Sequence, residues 1–160
     1  VEFSKHLLVD GYNIAHAWPD LRRVLMKEGR EVARVRLVER LRVLHDFERV
    51  RVSIVFDGRG TEIAIERPTP HATFSVLYTP GGMTADDLIE QLAVQSATPA
   101  EVFVATADQA ERDTIEAAGA RALTPAQLAE WIERGERAQS ATLDAHRRRV
   151  ESQWRKGRRA

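Results

Sequence analysis

Two short apolar runs in this chain stop at the same dipeptide, and that repetition restricts the fold more than any other feature. Leu7-Leu8-Val9 runs into Asp10-Gly11, and Val50-Arg51-Val52-Ser53-Ile54-Val55-Phe56 runs into Asp57-Gly58. Each run has the length of a buried strand, and each Asp-Gly supplies turn punctuation. Between them Leu21, Val24, Leu25, Val32, Val35, Leu37, Val38, Leu41 and Leu44 recur at three- and four-residue spacing. That spacing predicts a helix from about Asp20 to His45 with a break at Gly29, and an exposed crossover at His16-Ala17-Trp18-Pro19 before it. Strand, crossover helix and strand make a parallel pair whose carboxyl ends share one rim, with both aspartates on it. A single Val-Asp-Gly has a plainer meaning, a capped turn in which Asn13 bonds its own backbone. Recurrence of the pattern is what outweighs it.

The recurrence continues. After an irregular excursion from Arg59 to Thr73, in which Thr61 to Glu66 reads as a short strand, Phe74 to Tyr78 is a strand followed by Pro80-Gly81-Gly82. Thr84 then caps a helix with Asp87 at the third position, the spacing of a capping box. Asp86, at the second position, serves either the helix dipole or the rim as a metal carboxylate. Glu101 to Ala105 is the next strand and passes through Thr106-Ala107 into Asp108. Asp108 with Glu111 again has capping-box spacing, and Gly119 ends that helix. Ala120 to Leu123 is a last short strand, and Thr124-Pro125 opens a helix carrying Leu128, Trp131 and Ile132. From Glu133 onward the chain is highly charged, a helix ending in flexible basic residues. The order predicts a three-layer α/β fold with a mostly parallel central sheet.

With 160 residues and no cysteine, the chain needs no disulfide, has no thiolate chemistry, and suits a reducing compartment. No apolar run reaches membrane-spanning length and no signal peptide precedes Leu7, so the expectation is a cytoplasmic protein. There is no G-x-G-x-x-G after the first strand and no P-loop, so neither a dinucleotide cofactor nor P-loop hydrolysis has local support. Asp10, Asp57, Asp86 and Asp108 are instead expected to converge at the rim. Carboxylates forced together repel and need a compensating cation, and Mg²⁺ or Mn²⁺ suits hard oxygen ligands. Such an ion activates water and neutralises charge on a phosphate ester, chemistry shared by nucleases and phosphatases. Asn13 is placed to orient a water or a phosphate. The five histidines have no metal-ligand spacing and read as structural or exposed.

Val9 to Asn13 (VDGYN), Ala17 to Pro19 (AWP), Val55 to Gly58 (VFDG), Thr84 to Asp87 (TADD) and Ala105 to Asp108 (ATAD) together resemble the YacP-like branch of the NYN domains, relatives of the PIN nucleases. The resemblance covers nearly the whole chain and implies a PIN-like sheet, metal-binding acidic residues and endoribonuclease activity. Motif by motif, it carries catalytic roles to Asp10, Asn13, Asp86 and Asp108. It carries metal binding to Asp10, Asp57, Asp86, Asp87 and Asp108. Relatives tend to have glutamate at the Asp87 position, so this chain has a shorter arm there. Some relatives work with ribosomes, which makes the ribosome a candidate partner.

The expectation is therefore a metal-dependent endonuclease cutting single-stranded RNA with metal-activated water, leaving a 5′-phosphate and a 3′-hydroxyl. Residues 1–143 form the expected nuclease domain and 144–160 a basic helix and tail. Acidic and basic residues balance at 24 each over the chain, but from Asp144 onward there are seven basic residues and two acidic ones. That excess suits a polyanion. Arg147, Arg148, Arg149, Arg155, Lys156, Arg158 and Arg159 are expected phosphate contacts, aided by Arg22, Arg23 and Arg59, with Tyr12 as a stacking surface. Two alternatives stand beside this reading: a non-catalytic RNA- or ribosome-binding module, and a small-molecule phosphatase.

Overall fold

In the computed structural model, which describes residues 2–159 apart from the side chain of 159, the first apolar run is β1 (His6–Asp10), in the middle of the sheet. Leu7, Leu8 and Val9 are fully buried, as a strand covered on both faces requires. The second run is β2 (Arg51–Phe56), parallel to β1 with Val55 opposite Asp10. Beyond it, β4 (Phe74–Tyr78) adds in parallel and β3 (Ala64–Glu66) closes that edge antiparallel. On the other side of β1 lie β5 (Val102–Ala105) and β6 (Arg121–Leu123), both parallel. The order β3-β4-β2-β1-β5-β6 gives the expected mostly parallel sheet.

Helices cover both faces. α1 (Gly11–Ala17), α2 (Pro19–Glu28), α3 (Arg30–Glu48) and α6 (Pro125–Arg159) lie on one side, where Leu37, Leu41 and Leu128 pack with Leu7, Val9, Ile54 and Phe56. α4 (Ala85–Gln95) and α5 (Gln109–Ala117) lie on the other, where Leu88, Ile89 and Ile115 meet Leu8, Val55 and Val104. β1 is thus followed by a helix on one face and its neighbour β5 by a helix on the other. The crevice at their carboxyl ends is the switch point where open α/β sheets bind ligands.

The helix expected from about Asp20 to His45 is α2 and α3, divided at the Gly29 break that the sequence suggests, and a further helix, α1, comes before it. α1 starts at Gly11, directly after Asp10, because a Cβ built there would overlap the Phe56 ring and only glycine lets the chain turn so close to β2. Trp18 is no exposed crossover. It is the buried joint between α1 and α2, with its indole N–H donating to the Pro125 carbonyl at 3.0 Å and the Arg40 guanidinium over its ring. Gly29 divides α2 from α3 at φ 94°, a conformation L side chains resist.

α6 starts at the carboxyl rim, after β6, and runs back along the sheet until Gly135 lies against Val43, Leu44 and Glu48, in the last turns of α3. The chain leaves α3 to enter β2, so Gly135 marks the amino edge of the parallel strands. Past it the helix continues without interruption, mostly exposed, through the boundary expected at 143/144. No helix among the described residues is long and apolar enough to cross a membrane.

Candidate metal centre

Three elements bring the acidic centre together. Asp10 is the last residue of β1 and is buried, with its backbone extended as α1 begins. Asp86 sits in the first turn of α4, whose amino end is fixed from two sides. Thr84 Oγ1 accepts the Asp87 N–H and Asp87 Oδ2 accepts the Thr84 N–H, both at 3.1 Å, the reciprocal capping box the sequence predicts. Asp57 Oδ1 accepts the Ala85 N–H at 2.8 Å, so the aspartate ending β2 also holds the start of α4. With those amide groups occupied, Asp86 is the acidic residue of that turn that reaches the crevice.

The third carboxylate is Glu111, which in sequence reads as half of a cap. Asp108 does cap α5, accepting the Ala110 N–H at 2.9 Å and the Glu111 N–H at 3.4 Å. The return bond of a capping box is absent, because the Asp108 N–H donates to Thr106 Oγ1 and the Glu111 side chain turns inward. Asp10, Asp86 and Glu111 each offer an oxygen within 4.8 Å of the others. Oxygens on opposite sides of one hard cation lie roughly 4–5 Å apart, so the spacing fits such an ion.

Of the remaining expected ligands, Asp57 and Asp108 are near enough for their charges to act on Asp10 and Glu111, whereas Asp87 lines a depression along α4 with Glu90, Gln91 and Val94. Asp57, Asp87 and Asp108 are exposed, and each has the hydrogen-bonding task just described. Asn13 bridges the crevice: its Oδ1 accepts the Ala107 N–H at 2.7 Å and the Thr106 hydroxyl at 3.3 Å, tying α1 to the β5–α5 turn. With the oxygen so used, the amide NH₂ remains as a donor.

The electrostatics oppose leaving these carboxylates charged without a cation beside them. Burial pushes the Asp10 carboxyl up to about 9, reinforced by the contact with Asp86 and the charges of Glu111, Asp86 and Asp57. Burial likewise pushes Glu111 up to about 8; the Thr106 hydroxyl opposes the shift, and Asp86 and Asp108 add to it. Both Glu111 oxygens are buried without a partner in hydrogen-bond geometry. Among the described residues, none of the three carboxylates forms an ion pair with lysine, arginine or histidine. Buried orphan oxygens facing two further carboxylates, in an all-oxygen set, fit a hard divalent ion.

The expected RNA contacts fall in two regions. Arg22 and Arg23 on α2 and Arg59 beyond β2 are exposed. Tyr12 is half-buried, packed against Phe56 and accepting a hydrogen bond from Arg34 at 3.0 Å. Arg147, Arg148, Arg149, Arg155, Lys156 and Arg158 are exposed on the outer part of α6; the side chain of Arg159 lies outside the described residues. Arg147 is roughly 30 Å from the rim, given the strand length and twelve helical residues past Gly135.

The YacP-like NYN domain model matches residues 7–159. Uncharacterized protein YacP of Bacillus subtilis (strain 168) is 33% identical over 132 residues, 82% of this chain and 76% of its own length. The crystal structure of Rae1 (YacP) from Bacillus subtilis aligns with a TM-score of 0.70 at 30% identity, covering 88% of this chain and 80% of that one. A mutant form of the same protein gives a TM-score of 0.68 at 32% identity, covering 84% and 78%.

Proposed function

This chain belongs to the YacP-like NYN domain family, related to PIN-like nucleases, and on that premise we propose that it is a divalent-metal-dependent endoribonuclease acting on single-stranded RNA. The observation that carries the reading is the group of buried Asp10, half-buried Asp86 and buried Glu111, with both Glu111 oxygens lacking a partner. These three side chains hold Mg²⁺ or Mn²⁺. When bound, the ion supplies charge neutralisation at the phosphodiester and an activated water. Asp57 and Asp108 flank the centre, fixing the starts of α4 and α5 and presenting further oxygens toward it through water, while Asp87 closes the cap that holds Asp86 in place. Asn13, its oxygen held by the β5–α5 turn, directs its amide donor to the scissile phosphate or to the attacking water. Hydrolysis leaves a 5′-phosphate and a 3′-hydroxyl.

Arg59, with Arg22 and Arg23, contacts the RNA backbone on the domain, while the outer half of α6 attracts phosphates at a distance. In this division 1–143 is the cutting unit and 144–160 the capturing arm. Large RNA, the ribosome included, suits the separation of the two, and the cytoplasm is the compartment where it is met.

The deciding experiment is cleavage of a fluorescent single-stranded RNA panel in Mg²⁺, Mn²⁺ and EDTA by the full chain and by Asp10→Asn and Glu111→Gln. Metal-dependent cleavage lost in both variants is the expected result. Equal cleavage by wild type and variants overturns the assignment. RNA binding without cleavage in any metal gives the non-catalytic module the better case.

A further inference from the structure

On the α3 face of the sheet, at the same rim, lies a cavity of about 350 Å³ that the metal centre does not use. Its floor is apolar, formed by Val38, Phe56 and Val76, and its walls carry Tyr78 and the Arg34 guanidinium. Phe56 immediately precedes Asp57 and packs against Gly11, the neighbour of Asp10, so the floor is one residue from two of the rim carboxylates. Arg34 is held in place: it donates to the Tyr12 hydroxyl at 3.0 Å and its guanidinium lies 5.6 Å from the Tyr78 ring centre. That bond uses one of its five donors.

The charge of the lining disfavours a phosphate as occupant. Glu31, Glu39 and Glu66 outnumber Arg34 and Arg42, so the cavity is net negative. It suits a neutral, planar group able both to donate and to accept. Unstacked RNA bases have this character and are bound on aromatic rings and guanidinium planes with hydrogen bonds to their edges. Among the four bases, guanine alone presents two adjacent N–H donors, at N1 and N2, that meet both oxygens of one carboxylate. It also presents O6 and N7, the acceptor pair to which a guanidinium fork donates.

We infer that this cavity receives a guanine base of the RNA strand that crosses the rim. Glu66, on the exposed edge strand, takes the N1–H and N2–H donors; Arg42 reaches O6 and N7; and the Arg34 guanidinium, seated on Tyr78, supplies the plane on which the base stacks. The inference rests on the nuclease reading for its role, setting where the strand is cut, but the binding itself requires no metal.

The test therefore begins without metal. The ¹⁵N-labelled full chain is titrated in EDTA with 5′-GMP, 5′-AMP, 5′-CMP and 5′-UMP and followed by NMR. Binding of 5′-GMP about tenfold or more tighter than the other three is expected, with shifts at Val38, Val76 and Tyr78. Two variants locate it. Glu66→Gln removes the carboxylate from an exposed position, and Val35→Trp, at a half-exposed position on the cavity wall, fills the space. Both should abolish the guanine preference while the folded spectrum is retained. Equal affinity for the four nucleotides, or a preference that survives either variant, overturns the inference. A chain that binds 5′-GMP in this way but cuts no RNA keeps the cavity assignment and loses the nuclease. One that cuts RNA without guanine-dependent binding does the reverse.

Discussion

The Ala107 N–H donates to Asn13 Oδ1 at 2.7 Å, joining the first turn after β1 to the loop after β5 across 94 positions of sequence. The two strands at the switch point are tied at their tips by a side chain whose amide NH₂ has no partner among the described residues. Asn13→Asp preserves the acceptor and the shape but deletes that donor. The expected outcome is a folded protein that still binds Mn²⁺ and cuts RNA about 10²–10³-fold more slowly, the usual cost of losing one donor to a developing charge. Single-turnover cleavage alongside calorimetric metal titration checks both halves.

Glu111→Gln should separate stability from activity. The amide removes a buried charge that has no partner, so the metal-free protein gains about 1 kcal/mol at pH 9, above the value to which burial raises Glu111. The same change takes away a ligand. Wild type in metal at a hundred times its Kd should be stabilised by about 2.7 kcal/mol, and this increment should be largely absent in the variant, together with cleavage. Urea unfolding with and without Mn²⁺ measures it.

The pH dependence of metal-free stability should run opposite to the usual acid denaturation. Asp10 and Glu111 are raised in the folded state from 3.8 and 4.5 to about 9 and about 8. Between the unfolded and folded values the native state holds more protons than the unfolded chain, so stability falls as pH rises. Their contribution is fully present below about pH 4 and is lost by about pH 9. Metal must displace these protons, so affinity should rise across the same window, with proton release visible in calorimetry in buffers of different ionisation enthalpy. A Tm in EDTA that climbs from pH 5 to pH 8 while that of Asp10→Asn does not would contradict this.

Replacing Arg147, Arg148, Arg149, Arg155, Lys156 and Arg158 by glutamine in the full chain should weaken RNA capture and leave cutting intact. The slope of log K against log salt should become shallower by about 0.7 for each phosphate that the arm no longer neutralises. The rate at saturating RNA should be unchanged. An unaltered salt slope would remove the arm from the binding surface.

How much of this was legible in sequence depended on whether one local explanation competed with another. Asp10 and Asp57 stood out because a strand can end at an aspartate only so often before the rim explains it better than the turn. The Thr84–Asp87 capping box was legible because its bonds are closed within four residues. Glu111 was not: Asp108 followed three residues later by glutamate is a complete local motif, and only burial beneath Asp86 and Asp10 turns that side chain inward. Trp18 was hidden likewise, since its partner Pro125 is 107 residues away. The direction of α6 is a property of packing against α3 that no periodicity encodes.

The course of that helix bears on kinetics. On the proposed reading, attraction and hydrolysis fall at opposite ends of the sheet, so a short oligonucleotide would occupy the acidic crevice or the basic arm without bridging them. Trimming a substrate below the span of roughly 30 Å should therefore raise KM sharply at low salt while kcat holds, and the penalty should vanish at high salt, where the arm is screened. The molecule would then measure its substrate twice, by size when it binds and by base when it cuts.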